Sequence, residues 1–447
     1  MKPRHVRHLM AAALSLMLPW TEANGAALNG PTIEWLQQVG SARHDEGFEI
    51  AADFLGSVFV TGRTSGNWES PLVGTQDGFI RKYDSTGGLQ WARQFGVAGD
   101  SLWSYGVAPD LFGNVYVGGH TRGDLGGQVG DLDLFVGKYD SSGNRLWLRQ
   151  FGTKFLELGI GVAADSVGNV YLTGYTVGSL GGPNAGERDA YVTKFDSSGS
   201  LQWTRQIGTT ANDEASGVAV DRFDNVIITG HTQGSLAGPH AGGNDIFVSK
   251  FDGSGALLWT RQAGTPSIED SSSVATDNEG NIYLSGLTGG NFARRNLGSG
   301  DGFLSKYDPL GNPIWARQFG TSSADNSLGV SVGDGGQVYV TGFTRGPIDG
   351  PPVGSDDVFL ARYDPSGNPV WFRQLGTVAD EVSNGVSANI GGTVYITGYT
   401  QGSLVSPNPG GGDVFVAKFS EVPEPTTLLI TVATAILWPL LCSRGRE

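Results

Sequence analysis

Histidines and a recurring series of carboxylates are the side chains of this sequence with the most evident chemistry. There are six histidines and one cysteine in 447 residues. His5 and His8 fall in a basic N-terminal leader, which leaves His44, His120, His231 and His240 in the body. His120 and His231 follow the same phrase, a variant of Val-Tyr-Val-Thr-Gly, where other copies carry Arg63, Tyr175, Leu287, Phe343 or Tyr399. A place that accepts leucine does not read as a catalytic one. No His-Glu-x-x-His motif and no lysine-bearing phosphate loop is present. An acidic residue recurs about ten positions after each of seven tryptophans: Asp45, Asp100, Glu157, Asp213, Glu269, Asp325 and Asp380-Glu381. Gathered at one end of a ring, such carboxylates would draw Ca²⁺; alternatively they cap turns by accepting backbone hydrogen bonds. No Asp-x-Asp-x-Asp-Gly run supplies several ligands from one loop. The sequence therefore assigns no catalytic, cofactor or metal residue, and Ca²⁺ is the one ion to test. A pair of carboxylates acting on a glycosidic bond stays open.

The elements that would position these groups are announced by spacing. Tryptophans stand at 35, 91, 147, 203, 259, 315 and 371, each 56 residues after the last. Asp77, Asp133, Asp189, Asp245, Asp301, Asp357 and Asp413 keep the same interval. Two independent markers in step mean an internal repeat. Each unit reads as four strand-sized pieces, exemplified by Gly217–Asp221, Val338–Gly342, Phe135–Tyr139 and Leu89–Gln94. All are short, β-branched or aromatic, and bounded by turn residues. Phrases such as Asp84-Ser-Thr-Gly87 and Asp165-Ser-Val-Gly168 predict hairpins in which the aspartate accepts a backbone hydrogen bond and the glycine takes φ > 0. In one copy Asp224 fills the glycine place. Four antiparallel strands repeated radially predict an all-β, seven-bladed β-propeller over about residues 30–420. Trp35 has no earlier strands of its own, and the last unit stops after its third strand. The ring therefore closes only if Ile33–Val39 joins the blade begun by Asn384–Phe419.

Each tryptophan is expected to pack blade against blade, burying roughly 150–250 Å², so that Trp203→Ala would cost about 3–5 kcal/mol. The arginine two residues on (Arg93, Arg149, Arg205, Arg261, Arg317, Arg373) shares its strand face. It is expected to stack on an indole or to pair with an aspartate of the next blade. Gln37 replaces it in the first copy. The copies differ most in the linkers from second to third strand: Arg63–Gln76, His120–Leu132, Tyr175–Arg188, His231–Asn244, Leu287–Gly300, Phe343–Asp356 and Tyr399–Gly412. Within them Trp68, Phe292 with Arg294-Arg295, and His240 are irregular, and each either meets a ligand or covers a neighbouring loop.

The two ends read as targeting segments. Residues 1–25 combine Lys2, Arg4 and Arg7, an apolar run from Leu9 to Leu18, and a small-residue exit at Ala23-Asn24-Gly25, the layout of a signal peptide. Residues 421–447 contain Pro423-Glu424-Pro425, an apolar stretch over 426–442, and Ser443-Arg444-Gly445-Arg446. Seventeen residues is the lower limit for a membrane span, with the arginines on the cytoplasmic side. This tail resembles the PEP-CTERM sorting signal of Gram-negative bacteria. The resemblance implies that Pro423, Glu424 and Pro425 are a motif recognised by an exosortase, and that the tail anchors the protein only until it is removed. Cys442, the only cysteine, lies in that tail, so the body has no disulfide.

Seventy-one glycines, 16% charged residues and a net charge of −15 complete the composition. High charge and few aromatics would mark a disordered chain, and a nucleic-acid surface needs a basic stripe. Both are excluded. The phrases Asp-Ser-Ser-Gly-Asn, Gly-Val-Ala-Val-Asp and Val-Tyr-Val-Thr-Gly-x-Thr resemble the seven-bladed β-propeller repeat family known as SBBP. That family is defined by fold and implies no single activity. The reading is an exported, non-catalytic binding or scaffold protein of the cell surface or extracellular matrix. The sorting-signal resemblance implies an association with exopolysaccharide or biofilm. An extracellular polysaccharide or surface protein is the expected partner, and the membrane is touched only through the tail. The rival reading is a polysaccharide lyase or hydrolase acting at the channel mouth.

Overall fold

The computed structural model describes residues 30–389 and 391–421; the leader and the sorting tail lie outside the described residues. Seven four-stranded antiparallel sheets stand around a central channel. Blade 1 runs Asp45–Ala52, Val58–Thr64, Asp77–Tyr83 and Leu89–Phe95, in that order across the sheet. Blades 2 to 6 repeat it. The first three strands of blade 7 are Glu381–Ala388, Thr393–Thr400 and Asp413–Ser420, and its fourth is Thr32–Val39 from the other end of the chain. Leu36 lies opposite Ala417, so the N-terminal strand closes the ring as its spacing predicts. Among the described residues no helix is long and apolar enough to cross a membrane.

First strands pack against the first strands of both neighbouring blades, which puts them on the channel. The second and third strands hold the core. Both faces of every sheet are covered by a neighbouring blade, so these strands are apolar in continuous runs rather than in alternation. Val58, Val60 and Phe79 of blade 1, for example, pack with Tyr395, Val414 and Val416 of blade 7.

The tryptophans occupy the fourth, outermost strands. They bridge blades as expected, but they are half-buried rather than interior, because no strand lies outside them; Trp371, at 9% exposure, is the most enclosed. The Trp91 indole N–H donates to the Ser141 carbonyl in the next blade's hairpin at 2.9 Å, and Trp147 to Ser197 at 3.1 Å. Arg93 reaches the same hairpin, donating to the carbonyls of Gly143 (2.8 Å) and Ser142 (3.1 Å) while its guanidinium lies 5.6 Å from the Trp91 ring. Arg93, Arg149, Arg205, Arg261 and Arg317 thus cap turn carbonyls of the next blade and not its aspartates, while Arg373 pairs with Asp349 of its own blade at 3.1 Å. At the seam Gln37 keeps one such bond, to the Gly87 carbonyl. Asp224 does adopt φ 59°.

This strand order gives the ring two unlike ends. One, the hairpin face, carries the tight turns between first and second and between third and fourth strands. The other, the loop face, carries the variable linkers and the blade-to-blade crossings. The crossings are tied to the linkers by short parallel bridges such as Gln76 with Ser101 and Leu132 with Leu156.

Candidate binding site at the channel mouth

The first strand of every blade contains the same irregularity. Its pairing register jumps by one residue, between Gly47 and Glu49 in blade 1 and at the matching place in the other six. Such a bulge re-aims the extra side chain. The residues bypassed are Phe48, Tyr105, Ile160, Ser216, Ser272, Leu328 and Asn384, and all seven line the channel, a cavity of about 390 Å³. The residue after the bulge is Gly106, Gly161, Gly217, Gly329 or Gly385 in five blades and Ser273 in a sixth. In blade 1 it is Glu49. A Cβ at Gly106 or Gly161 would press on the next blade's first strand, at 2.7 Å from Val162 N and 3.1 Å from Val218 N, so the waist of the ring is narrow there. Glu49 is therefore a single carboxyl in a waist of glycines, and burial raises its pKa to about 8.

Around Glu49 the blade 7, 1 and 2 sector of the loop face collects unlike side chains. Phe48 and Tyr105 stack with centroids 4.3 Å apart. Tyr105 continues to His120 at 5.2 Å, and His120 to Trp103 at 5.0 Å. On the other side of Phe48, the Arg63 guanidinium lies 5.6 Å from its ring and donates to Glu46 at 2.9 Å. Glu46 also meets His44 at 3.6 Å, and His44 packs edge-on to Tyr399. Asn384 donates to the Gly47 carbonyl at 2.8 Å. The hydrogen bond to Glu46 raises the His44 pKa. Burial opposes ionisation of Glu46, but hydrogen bonds and charge from His44 and Arg63 hold it below its usual range. His120 is the reverse: burial drops it to about 4, and its Nδ1 sits 3.3 Å from the Gly159 carbonyl, to which the neutral ring donates. A second sector pairs Arg188 with Glu214 and His231 with Asp270 at 3.3 Å.

The place shared by His120 and His231 lies behind the channel-lining first strands, with His120 against Tyr105 and His231 against Asp270. Leucine in one copy argues against a catalytic role there, yet the structure joins His44 to His120 through Glu46, Arg63, Phe48 and Tyr105.

The recurring acidic series behaves differently from a channel ring. Asp45, Glu157, Asp213, Glu269, Asp325 and Glu381 begin the first strands, fully buried, and none lines the cavity. Each fastens the crossing before it. Glu157 accepts from Thr153 N at 2.8 Å and from the hydroxyls of Thr153 and Thr176. Blade 2 has Leu102 in this place, and Asp100 accepts instead from Ser101 N at 2.9 Å. Among the described residues no group of three or more His, Cys, Asp or Glu is arranged to hold a metal ion. The turn-capping reading of these carboxylates is the one the geometry supports.

A residue with no role assigned from sequence, the glutamine after each arginine, organises the linkers. Gln150 donates to Asp133 at 2.9 Å and to the Gly123 carbonyl at 3.1 Å, while its Oε1 accepts from Leu125 N at 2.5 Å. Two of the irregular linker residues pack on the third strand of their own blade. Trp68 packs edge-on to Phe79 beneath the Arg81 guanidinium, 4.5 Å away, and Phe292 packs on Phe303 at 5.1 Å. Arg294 approaches Asp301 only at 4.0 Å. The segment Gly329-Val-Ser331-Val-Gly333 has the lettering of a nucleophile elbow, but it runs along a strand into a hairpin, and the Ser331 hydroxyl accepts from Ala388 N at 2.9 Å.

The model of the β-propeller repeat, SBBP, matches residues 34–68, 90–126, 146–181, 202–237 and 258–293. This is an SBBP β-propeller repeat protein. Curated relatives of this SBBP chain include an uncharacterised WD repeat-containing protein of Acanthamoeba polyphaga mimivirus, 23% identical over 60% of the chain and 26% of the relative. Another is the regulatory protein FlaEY of Caulobacter vibrioides, 26% identical over 62% of the chain and 33% of the relative. The SBBP chain therefore spans about a quarter to a third of the length of these relatives. Among solved structures, an ulvan lyase bound to a -[GlcA(1-4)Rha3S]- unit aligns with 85% of the chain and 95% of its own length, at 13% identity and TM-score 0.49. A gluconolactonase from Xanthomonas campestris aligns with 86% of the chain and 97% of its own, at 13% identity and TM-score 0.39. These likenesses concern fold alone.

Proposed function

We propose that this SBBP propeller is an exported binding protein that holds an extracellular polysaccharide at the loop-face mouth of its channel without turning it over. The observation that carries the reading is the stacked Phe48–Tyr105 pair, set by two bulges beside Glu46, Arg63 and Asn384. The stacked rings hold a rigid wall, and carboxylate, guanidinium and amide groups beside it can bond to sugar hydroxyls. Repetition elsewhere serves the ring; this sector is where the copies diverge. The leader would deliver the chain across the inner membrane of a Gram-negative cell. An exosortase acting at Pro423-Glu424-Pro425 would release it to the surface or matrix. A glycan array, run on the wild type and on Phe48→Ser with Tyr105→Ser, tests the reading. Binding lost in the variant with an unchanged melt supports it; equal binding by both places the ligand elsewhere.

Glu49 favours a second reading. A carboxyl with a pKa near 8 is protonated at neutral pH and can serve as a general acid, as a polysaccharide lyase or hydrolase requires. New reducing ends or unsaturated products from any bound glycan would replace the first reading by this one.

A further inference from the structure

The hairpin face carries an apolar arc that folding does not explain. At the turns between first and second strands, blades 1 to 4 expose Phe54 (56%), Leu55 (75%), Leu111 (60%), Phe112 (67%), Val167 (61%) and Phe223 (57%). The same turns in blades 5 and 6 expose Asn278, Glu279, Asp334 and Gly335. A hairpin tip needs only its aspartate and its positive-φ residue, which all of these turns except that of blade 6 share with the arc, and the blade 6 turn closes with Gly333 in place of the aspartate. The large apolar side chains of these turns are thus additions on adjacent blades, and the third-to-fourth hairpin of blade 5 extends them with Leu310, 69% exposed. A contiguous apolar patch of this kind marks an interaction surface.

The chain itself indicates the partner. Ser420 pairs with Thr393, and Glu421 lies beside Gly392, so the chain leaves the ring on the hairpin face. It does so at blade 7, next to the blade 1 end of the arc, where the Asn389 side chain donates to the Asp53 carbonyl at 3.5 Å. Only Val422, Pro423, Glu424 and Pro425 separate Glu421 from the apolar stretch 426–442. Even fully extended, that link reaches roughly 18 Å. A bilayer holding residues 426–442 must therefore lie within that reach of the hairpin face at blade 7, beside the blade 1 end of the arc.

We propose that the apolar arc docks on the lipid surface that holds the protein's own tail, seating the propeller hairpin face down with its channel mouth turned outward. The proposal rests on the reading of 426–442 as membrane-held. Aromatic and aliphatic side chains insert shallowly at the headgroup boundary. The half-buried hairpin aspartates Asp84, Asp140 and Asp196 lie on the same face, and the exposed Arg222 stands over Phe223 within the arc, so a zwitterionic surface is the one to test first.

The test uses the full chain with Cys442→Ser, reconstituted in phosphatidylcholine nanodiscs containing a doxyl-labelled lipid. Single cysteines Phe112→Cys, Asn278→Cys or Val378→Cys carry an environment-sensitive fluorophore. Position 278 is on the polar side of the hairpin face, and Val378 is 90% exposed on the loop face. The expected result is quenching at 112 and none at 278 or 378. It should weaken when Phe54→Ser and Leu55→Ser are added, with the melt unchanged. Equal quenching at 112 and 278, or a blue-shifted but unquenched label at 112, overturns the proposal; the latter means that protein, the tail or a second copy, covers the arc. Alkaline washing separates the two layers of argument. A chain that washes off refutes the membrane-held tail, and the docking with it. A chain that stays embedded without quenching at 112 refutes the docking alone.

Discussion

The Trp203 indole closes over Gly255 of the next blade, so that a Cβ on Gly255 would lie 2.8 Å from the ring's Cδ2. The same contact joins Trp91 to Gly143, Trp147 to Gly199, Trp259 to Gly311, Trp315 to Gly367 and, across the seam, Trp35 to Gly87. Glycine is doubly required, since Gly255 also has φ +81°. Gly255→Ala should cost more than the roughly 1–2 kcal/mol of a left-handed non-glycine residue, because the methyl also displaces the indole. Trp203→Ala should cost about 2 kcal/mol, half the expectation for an interior tryptophan, since one side of the ring faces solvent. In urea melts the double variant should cost less than the sum of the two. Strict additivity would mean that the ring and the turn do not support each other.

The seam is the weak joint, and Gln37 is where it can be strengthened. Arg93 makes two bonds to the hairpin ahead of it, while Gln37 makes one to Gly87. Gln37→Arg should restore the second and raise stability by about 0.5–1.5 kcal/mol, read as a higher melting temperature. No gain would show that the closing strand is positioned by its pairing with Asp413–Ser420 alone.

Blade number, strand order and ring closure were legible because tryptophan and aspartate report a period, and a period of 56 residues with four strands leaves few folds. The channel mouth was not. A bulge is an extra residue relative to the partner strand, so its position follows from pairing and not from residue type. Phe48, Tyr105, Ile160, Ser216, Ser272, Leu328 and Asn384 share no chemistry that would announce a shared place. One signal was there: a small residue follows in six copies and Glu49 in the seventh. The acidic series left two readings open, a channel ring or turn caps, for a related reason. Its spacing was read correctly, but whether a carboxylate faces a channel or the loop behind it depends on the first residue of a strand, which periodicity does not resolve.

His44 should titrate above its ordinary value for as long as Glu46 is ionised, since their hydrogen bond is the main cause of the shift. Its contribution to stability is complete below the unfolded pKa and disappears as pH rises through the higher folded value. Glu46→Gln removes the partner and leaves burial and the Arg63 charge, both of which lower the pKa. An NMR titration should then show His44 moving down, with His120 remaining neutral near pH 6. An unmoved His44 would break the chain of contacts that links the two sectors of the mouth.

Glu49 supplies the clearest pH signature. Its folded pKa, raised by burial to about 8, exceeds the ordinary value of 4.5. The folded state therefore binds the proton more tightly than the unfolded one. The stability tied to this proton is fully present below pH 4.5 and is lost as pH rises through 8. Glu49→Gln keeps the neutral shape and has no charge to desolvate. The variant should melt like the wild type near pH 5 and at a higher temperature near pH 9, with the difference opening between those values. Serine, which blade 5 carries at this place as Ser273, should give the same pH-independence if the ring tolerates the lost volume. Parallel wild-type and Glu49→Gln melting curves across that range would mean that the carboxyl is hydrated in the channel and titrates normally. The general-acid reading of the mouth would then fall as well, because an ionised Glu49 has no proton to give at neutral pH.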